Sequence, residues 1–201
     1  MSDIRPCGPR DLYRYSGGVS NVINTTSKGG QLAELSPFFL GPCYTPNGLM
    51  AVRFENLWQY SKVYPEHMGP ERTERSLEIE PAWYEWRAQG FASMKANRYP
   101  MGKGRRPLFS LWGDQRMLYV EARKKIYVPT YAQLVTRTPM YRLLKKLRDE
   151  GSKLILFDYD AYDYVEEGLT FEEALDNPHR RLGHAMVLCA LLKGELPEPA
   201  S

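Results

Sequence analysis

Residues 185–192 read Ala-Met-Val-Leu-Cys-Ala-Leu-Leu, eight apolar side chains in succession. A helix built from them is hydrophobic around its whole girth and has no face to turn toward water. It is also far shorter than the roughly 20 residues a bilayer span needs. The segment therefore predicts a helix buried at the centre of a globular domain. The chain has 201 residues with which to cover it, 43% of them hydrophobic and 25% charged, close to ordinary globular usage. Pro178 suits the first turn of such a helix, Asn177 its cap and Gly194 its stop, so the expected span is 178–193.

The rest of the chain alternates short apolar runs with turn signals. Residues 1–30, with Ser16-Gly17-Gly18 and Ser27-Lys28-Gly29-Gly30, read as loop with a short strand. Leu35–Leu40 and Leu49–Phe54 flank Thr45-Pro46-Asn47-Gly48 and predict a hairpin or two edge strands. Helices are expected over 55–64, stopped by Pro65, and over 81–97, 113–127 and 139–150, the last closed by Gly151. Lys153–Phe157 reads as a short buried strand. The outcome is an α+β fold, predominantly helical, with short N-terminal strands: an extension over 1–20, one domain over 21–195 and a tail over 196–201.

Composition excludes several classes. A net charge of +3 is too mild for a general nucleic-acid coating protein, although a local basic cluster could hold phosphates. Cys7, Cys43 and Cys189 are few, odd in number and unpaired in spacing, which argues against a disulfide framework and for a reducing compartment. His179 and His184 are five apart and do not share a helix face, and no CxxC or HExxH occurs, so no zinc site is expected. The N-terminus lacks an apolar signal region, and the reading is a cytoplasmic protein with no membrane partner.

Four segments are candidates for chemistry. In the helix from Glu55, the side chains of Glu55, Gln59 and Lys62 fall on a stripe roughly 60° wide, amid Leu57, Trp58, Tyr60 and Val63. The stripe is either a solvated face or the lining of a pocket that offers a carboxylate, an amide and an ammonium. Such a set serves glycosidic cleavage, in which a carboxylate stabilises a sugar cation or orients water. At the other end of the chain, Arg180 and Arg181 in a first helical turn would oppose the macrodipole. Either a bound phosphate resolves that conflict or acidic side chains from elsewhere do; Gly183 signals close packing there.

Asp158-Tyr159-Asp160-Ala161-Tyr162 ends the predicted strand. Too little chain follows for a haloacid-dehalogenase domain, and Asp163 and Leu169 break the EF-hand pattern. Asn97–Pro107 is a basic Gly/Pro loop without the P-loop signature.

In order along the chain, Ser36-Pro37-Phe38, Glu55-Asn56-Leu57-Trp58-Gln59-Tyr60-Ser61-Lys62, Asp160-Ala161-Tyr162 and Arg181-Leu182-Gly183 resemble the motifs of the NADAR family. The family's helix reads Ser-Glu-His-x-x-Gln-x-x-Lys, its acidic segment Asp-Ala-Tyr-Trp-Gly and its last helix Asn-Arg-Leu-Gly. Here Asn56 stands for its His, Asp163-Tyr164 for its Trp-Gly and Arg180 for its Asn. The resemblance implies hydrolysis of an N-glycosidic bond in a phosphorylated nucleotide-like substrate or in ADP-ribosylated nucleic acid, with no cofactor and no obligate protein partner. It implies Glu55 as catalytic carboxylate and Asp160 as ribose ligand or second acid/base. Gln59, Lys62, Trp58, Tyr162, Ser36, Gly183, Arg180 and Arg181 would bind substrate. The alternative is a protein that binds a nucleotide, ADP-ribose or nucleic acid without cleaving it.

Overall fold

The computed structural model describes residues 3–15, 22–69 and 78–199; the expected turn at Ser16-Gly17-Gly18 lies outside them. In chain order the elements begin β1 (Ile4–Cys7), α1 (Leu12–Tyr15), β2 (Val22–Asn24), a 3₁₀ turn (Gly30–Leu35), β3 (Cys43–Tyr44), β4 (Met50–Ala51), α2 (Phe54–Tyr60) and β5 (Lys62–Val63). A 3₁₀ turn (Pro65–His67), α3 (Pro81–Ala92), β6 (Phe109–Trp112), β7 (Gln115–Met117), α4 (Tyr119–Ala122) and a π-helical turn (Arg123–Tyr127) follow. The chain ends with α5 (Val128–Val135), α6 (Pro139–Asp149), β8 (Leu154–Phe157), α7 (Phe171–Asp176) and α8 (His184–Lys193). The fold is α+β with helix outweighing strand, and its residues gather into two compact units.

The first unit comprises residues 1–40 and 128–201. Its sheet runs β1-β8-β2, with β8 central and parallel to both neighbours; Ile4 pairs with Leu154 and Val22 with Ile155. All four residues of β8 are buried, as a central parallel strand covered on both faces requires. Helix α8 packs on β1 and β8, and every residue from His184 to Leu192 is buried. Gly194, at φ 76°, closes it, with the Glu195 amide donating to Ala190 and the Gly194 amide to Leu191. Helix α6 starts at Thr138, whose hydroxyl accepts from the Tyr141 amide at 3.1 Å, with Pro139 in the first turn.

The second unit, residues 41–127, holds the β3–β4 hairpin and the antiparallel sheet β5-β6-β7. Val63, Met68, Trp83, Phe109 and Leu111 form its core. Helices α2 and α3 cross where Gly90 meets Tyr60: a Cβ on Gly90 would lie 2.1 Å from that ring.

Several expectations need correcting. Residues 1–30 contain two strands, because β8 offers two parallel edges to pair. Leu35–Leu40 is not a strand; the hairpin is shorter, and Cys43 and Tyr44 pair with Ala51 and Met50 around the expected turn. Helix α2 ends at Tyr60 rather than 64, since Lys62 and Val63 pair with Ser110 and Phe109. Helix α3 ends at Ala92. The helix expected over 113–127 starts only at Tyr119; residues 109–117 form a hairpin around Gly113 (φ 57°) and Asp114, the Gly-X loop that suits strand twist. The last helix begins at His184; Asn177 instead accepts the His179 amide in a local turn. Helix α7 adds to the expected elements, and its signal is the reciprocal capping box of Thr170 and Glu173.

Candidate functional site

In the second unit, α2 carries a polar relay through an apolar setting. Glu55 and Gln59 are 5% and 8% exposed, so the stripe is not a solvated face. Gln59 Nε2 donates to Glu55 Oε1 at 2.8 Å, and Lys62 Nζ donates to Gln59 Oε1 at 2.7 Å. The charges at its two ends fix the amide: its oxygen meets the ammonium and its NH2 meets the carboxylate, and a flip would make both contacts repulsive. Glu55 also lies in the first turn of α2, where the helix dipole favours an anion.

Lys62 Nζ sits 4.6 Å from the centroid of Trp58, and the Trp58 ring meets the edge of Tyr127 at 5.1 Å. The relay is thus one turn of helix plus the first residue of β5, held by aromatic walls. Asn56, next to Glu55, is fully buried and clamps residues 93–97: its Nδ2 donates to the carbonyls of Ser93 and Lys95, and its Oδ1 accepts the Asn97 amide at 2.8 Å.

In the first unit, the carboxyl end of the parallel sheet gathers a second set. Such ends are where open parallel sheets place ligand sites. Asp158, just after β8, approaches His184 Nδ1 with Oδ2 at 3.0 Å. His184 Nε2 lies 2.9 Å from both Oγ1 and the carbonyl oxygen of Thr25, and Thr25 Oγ1 donates to the Phe157 carbonyl at 2.8 Å. The Thr25 hydroxyl proton is therefore spent, and both of its oxygens accept. Nε2 must donate, so one further proton is shared between Nδ1 and Asp158: a buried imidazolium–carboxylate pair or its neutral equivalent. Sequence reasoning assigned no role to this trio. Its signal was a lone His opening one wholly apolar segment and an Asp closing another.

Around that trio, Asp160 accepts from Arg181 Nη1 at 3.0 Å, and Arg180 pairs with Glu167 while its guanidinium lies over the Tyr162 ring. Neither arginine is in a helical turn; both precede α8, and acidic partners from elsewhere do meet them, the second of the two resolutions the sequence left open. Gly183 packs its backbone on the strand-end loop, where a Cβ would stand 2.3 Å from Asp158 Oδ2 and 2.5 Å from the Ala161 amide. Ser36 is buried, its hydroxyl accepting from the Phe38 amide at 3.4 Å as part of a turn. Glu55, Gln59, Lys62 and Trp58 are thus brought together in one unit, and Asp160, Tyr162, Arg180, Arg181 and Gly183 in the other.

Burial pushes the Cys7, Cys43 and Cys189 thiols up to about 12, which leaves all three unreactive as nucleophiles at neutral pH. Among the described residues, no group of three or more His, Cys, Asp or Glu side chains is placed to hold a metal ion, and no helix is long and apolar enough to cross a membrane.

Fold and site together define an α+β protein with a parallel three-stranded sheet and a Glu–Gln–Lys relay whose carboxylate and amide are buried. The chain belongs to DUF6939, a family of unknown function whose model matches residues 10–188. No curated protein and no solved structure matches it significantly.

Proposed function

We propose that the protein hydrolyses the N-glycosidic bond of a phosphorylated nucleotide-like substrate, with Glu55 as the catalytic carboxylate. The observation that carries this reading is the relay: a carboxylate 5% exposed, oriented by Gln59, with the Lys62 ammonium one residue-pair away on Trp58. In the reaction the C1′–N bond breaks and its electron pair leaves with the base, which gains a proton. Water supplies the new C1′–O bond and loses one. A fixed carboxylate stabilises the sugar cation between those events or takes the proton from water, and low exposure strengthens either effect. Gln59 and Lys62 position ribose and phosphate.

The test is chromatographic turnover on a panel of nucleoside monophosphates, ribosylamino-pyrimidine phosphate, NAD and ADP-ribosylated guanine in DNA. Glu55→Gln is nearly isosteric and keeps an oxygen for Gln59. Release of free base or free ADP-ribose by the native protein, lowered at least about a thousandfold in Glu55→Gln, is the expected result. Equal turnover in the two proteins overturns the assignment.

A second reading, ligand binding without cleavage, is favoured by Asn56. The side chain that stands at the family-like motif's imidazole is wholly engaged in holding residues 93–97. Saturable binding of a panel member with no product released supports that reading over the first.

A further inference from the structure

One loop of the second unit is densely basic. Between Trp86 and Gly113 there is no carboxylate, and residues 95–106 alone hold Lys95, Arg98, Lys103, Arg105 and Arg106. The chain carries +3 overall, so with these five set aside the remainder carries −2. Five cations within twelve residues concentrate attraction for a polyanion on one patch.

The loop is built rather than loose. Asn56 fixes residues 93–97 by three hydrogen bonds, and Asn97 Nδ2 donates to the Tyr60 hydroxyl at 3.3 Å. The Gly102 amide donates to the Tyr99 carbonyl at 3.0 Å, and the Leu108 amide ties the far end to Val63 at 2.8 Å. Gly102 and Gly104, at φ 93° and 88°, turn the chain twice in three residues. Residues 102–106 are all exposed as a result. Arg105 pairs with Glu66, whereas Lys103 and Arg106 form no ion pair among the described residues. Tyr99 is exposed beside them, with the Arg98 guanidinium 5.3 Å from its ring centroid.

The geometry points to a docking surface for single-stranded nucleic acid, in which Lys103, Arg105 and Arg106 hold successive phosphates and Tyr99, backed by Arg98, stacks a base. An exposed aromatic within a basic loop suits a strand whose bases are free to stack, while a duplex offers its phosphates alone. This surface is independent of the glycosidase reading and requires no turnover.

The experiment is fluorescence anisotropy of a labelled oligonucleotide of about 12 nucleotides, a length within the site sizes of such grooves, titrated with the full chain at several salt concentrations. Three neutralised phosphates give a log–log slope near −2, a fall of roughly 20-fold in affinity between 50 and 200 mM salt. The Lys103→Ala/Arg105→Ala/Arg106→Ala variant is expected to lose about tenfold or more and most of the slope. Lys103→Ala/Arg106→Ala, which keeps the Glu66–Arg105 pair, loses a smaller share of both. Tyr99→Ala weakens the strand about fivefold or more and leaves a matched duplex unchanged. Glu55→Gln binds as the native protein does, so failure of this proposal and failure of the glycosidase reading show in different variants. No binding at 50 mM salt overturns the proposal, as does equal binding by the triple variant. Duplex binding tighter than strand binding, untouched by Tyr99→Ala, assigns the loop to duplex phosphates and overturns the strand assignment.

Discussion

At the scale of single residues, the buried polar side chains of the two candidate sets engage one another. The Asp158–His184–Thr25 trio sits where three strand or helix ends meet, and both of its ionisable members are almost fully enclosed, with side-chain exposures of 9% and 7%. Removing one partner of such a pair leaves the other's charge in a poorly solvating place. His184→Ala is expected to cost about 3–5 kcal/mol in urea unfolding. The double change Asp158→Asn/His184→Ala recovers a substantial part of that loss, and additive losses in the cycle would show that the pair is not coupled. His67 gives a pH-dependent case. Burial holds its pKa below the ordinary 6.5, and its Nδ1 accepts from the Tyr64 amide, a bond only the neutral ring makes. The unfolded chain therefore binds this proton more readily than the folded one. Stability is level above the ordinary value and falls as the pH drops from there toward the folded-state value. His67→Gln should flatten the difference in Tm between pH 7 and pH 5; an unchanged difference would mean that His67 does not contribute.

At the scale of elements, periodicity and caps located what was self-sufficient, and pairing decided the rest. Helix α6 was legible from its span starting at Pro139 and closed by Gly151, and β8 from its continuous apolar run. Helix α8 was legible as a buried helix because nothing between Ala185 and Leu192 prefers water. Its start was not, because the Pro178 signal is real but serves a turn, and Gly183 must stay extended against the Asp158–Ala161 loop. Strand β5 was beyond reach for a related reason: two residues carry no period, and only their pairing to β6 takes them out of helix α2. The completeness of α8's burial sets the next expectation. Leu188, fully buried, should lose about 2–5 kcal/mol on change to Ala. Chemical denaturation measures it, and a loss below about 1 kcal/mol would show that the core refills easily around the helix.

At the scale of the whole molecule, the parallel sheet joins residues that are far apart in sequence. Ile4 pairs with Leu154 and Val22 with Ile155, so both edges of β8 are satisfied by the first 24 residues of the chain. Contacts of that separation form late in folding and are costly to lose. A chain lacking residues 1–24 leaves Leu154–Phe157 with two unpaired edges, and it is expected to aggregate rather than elute as a monomer in size-exclusion chromatography. A monodisperse, cooperatively melting truncation would contradict that role for β1 and β2. The candidate site divides along the same line. The Glu55–Gln59–Lys62 stripe was readable because it lies within one turn of helix and its neighbour, where 100° per residue already fixes the geometry. Whether that stripe meets water or protein was not readable, since the burial of Glu55 and Gln59 depends on what the fold packs around α2. The Asp158–His184–Thr25 trio was invisible because its members are 26 and 133 residues apart along the chain and no local pattern relates them. Sequence alone thus determined the α+β class, the central apolar helix and the local order of polar groups on α2, because each follows from forces acting within a few residues. Tertiary structure alone decided which strands pair, where helices stop and which charges share a proton, because each depends on a partner the chain brings back from a distance.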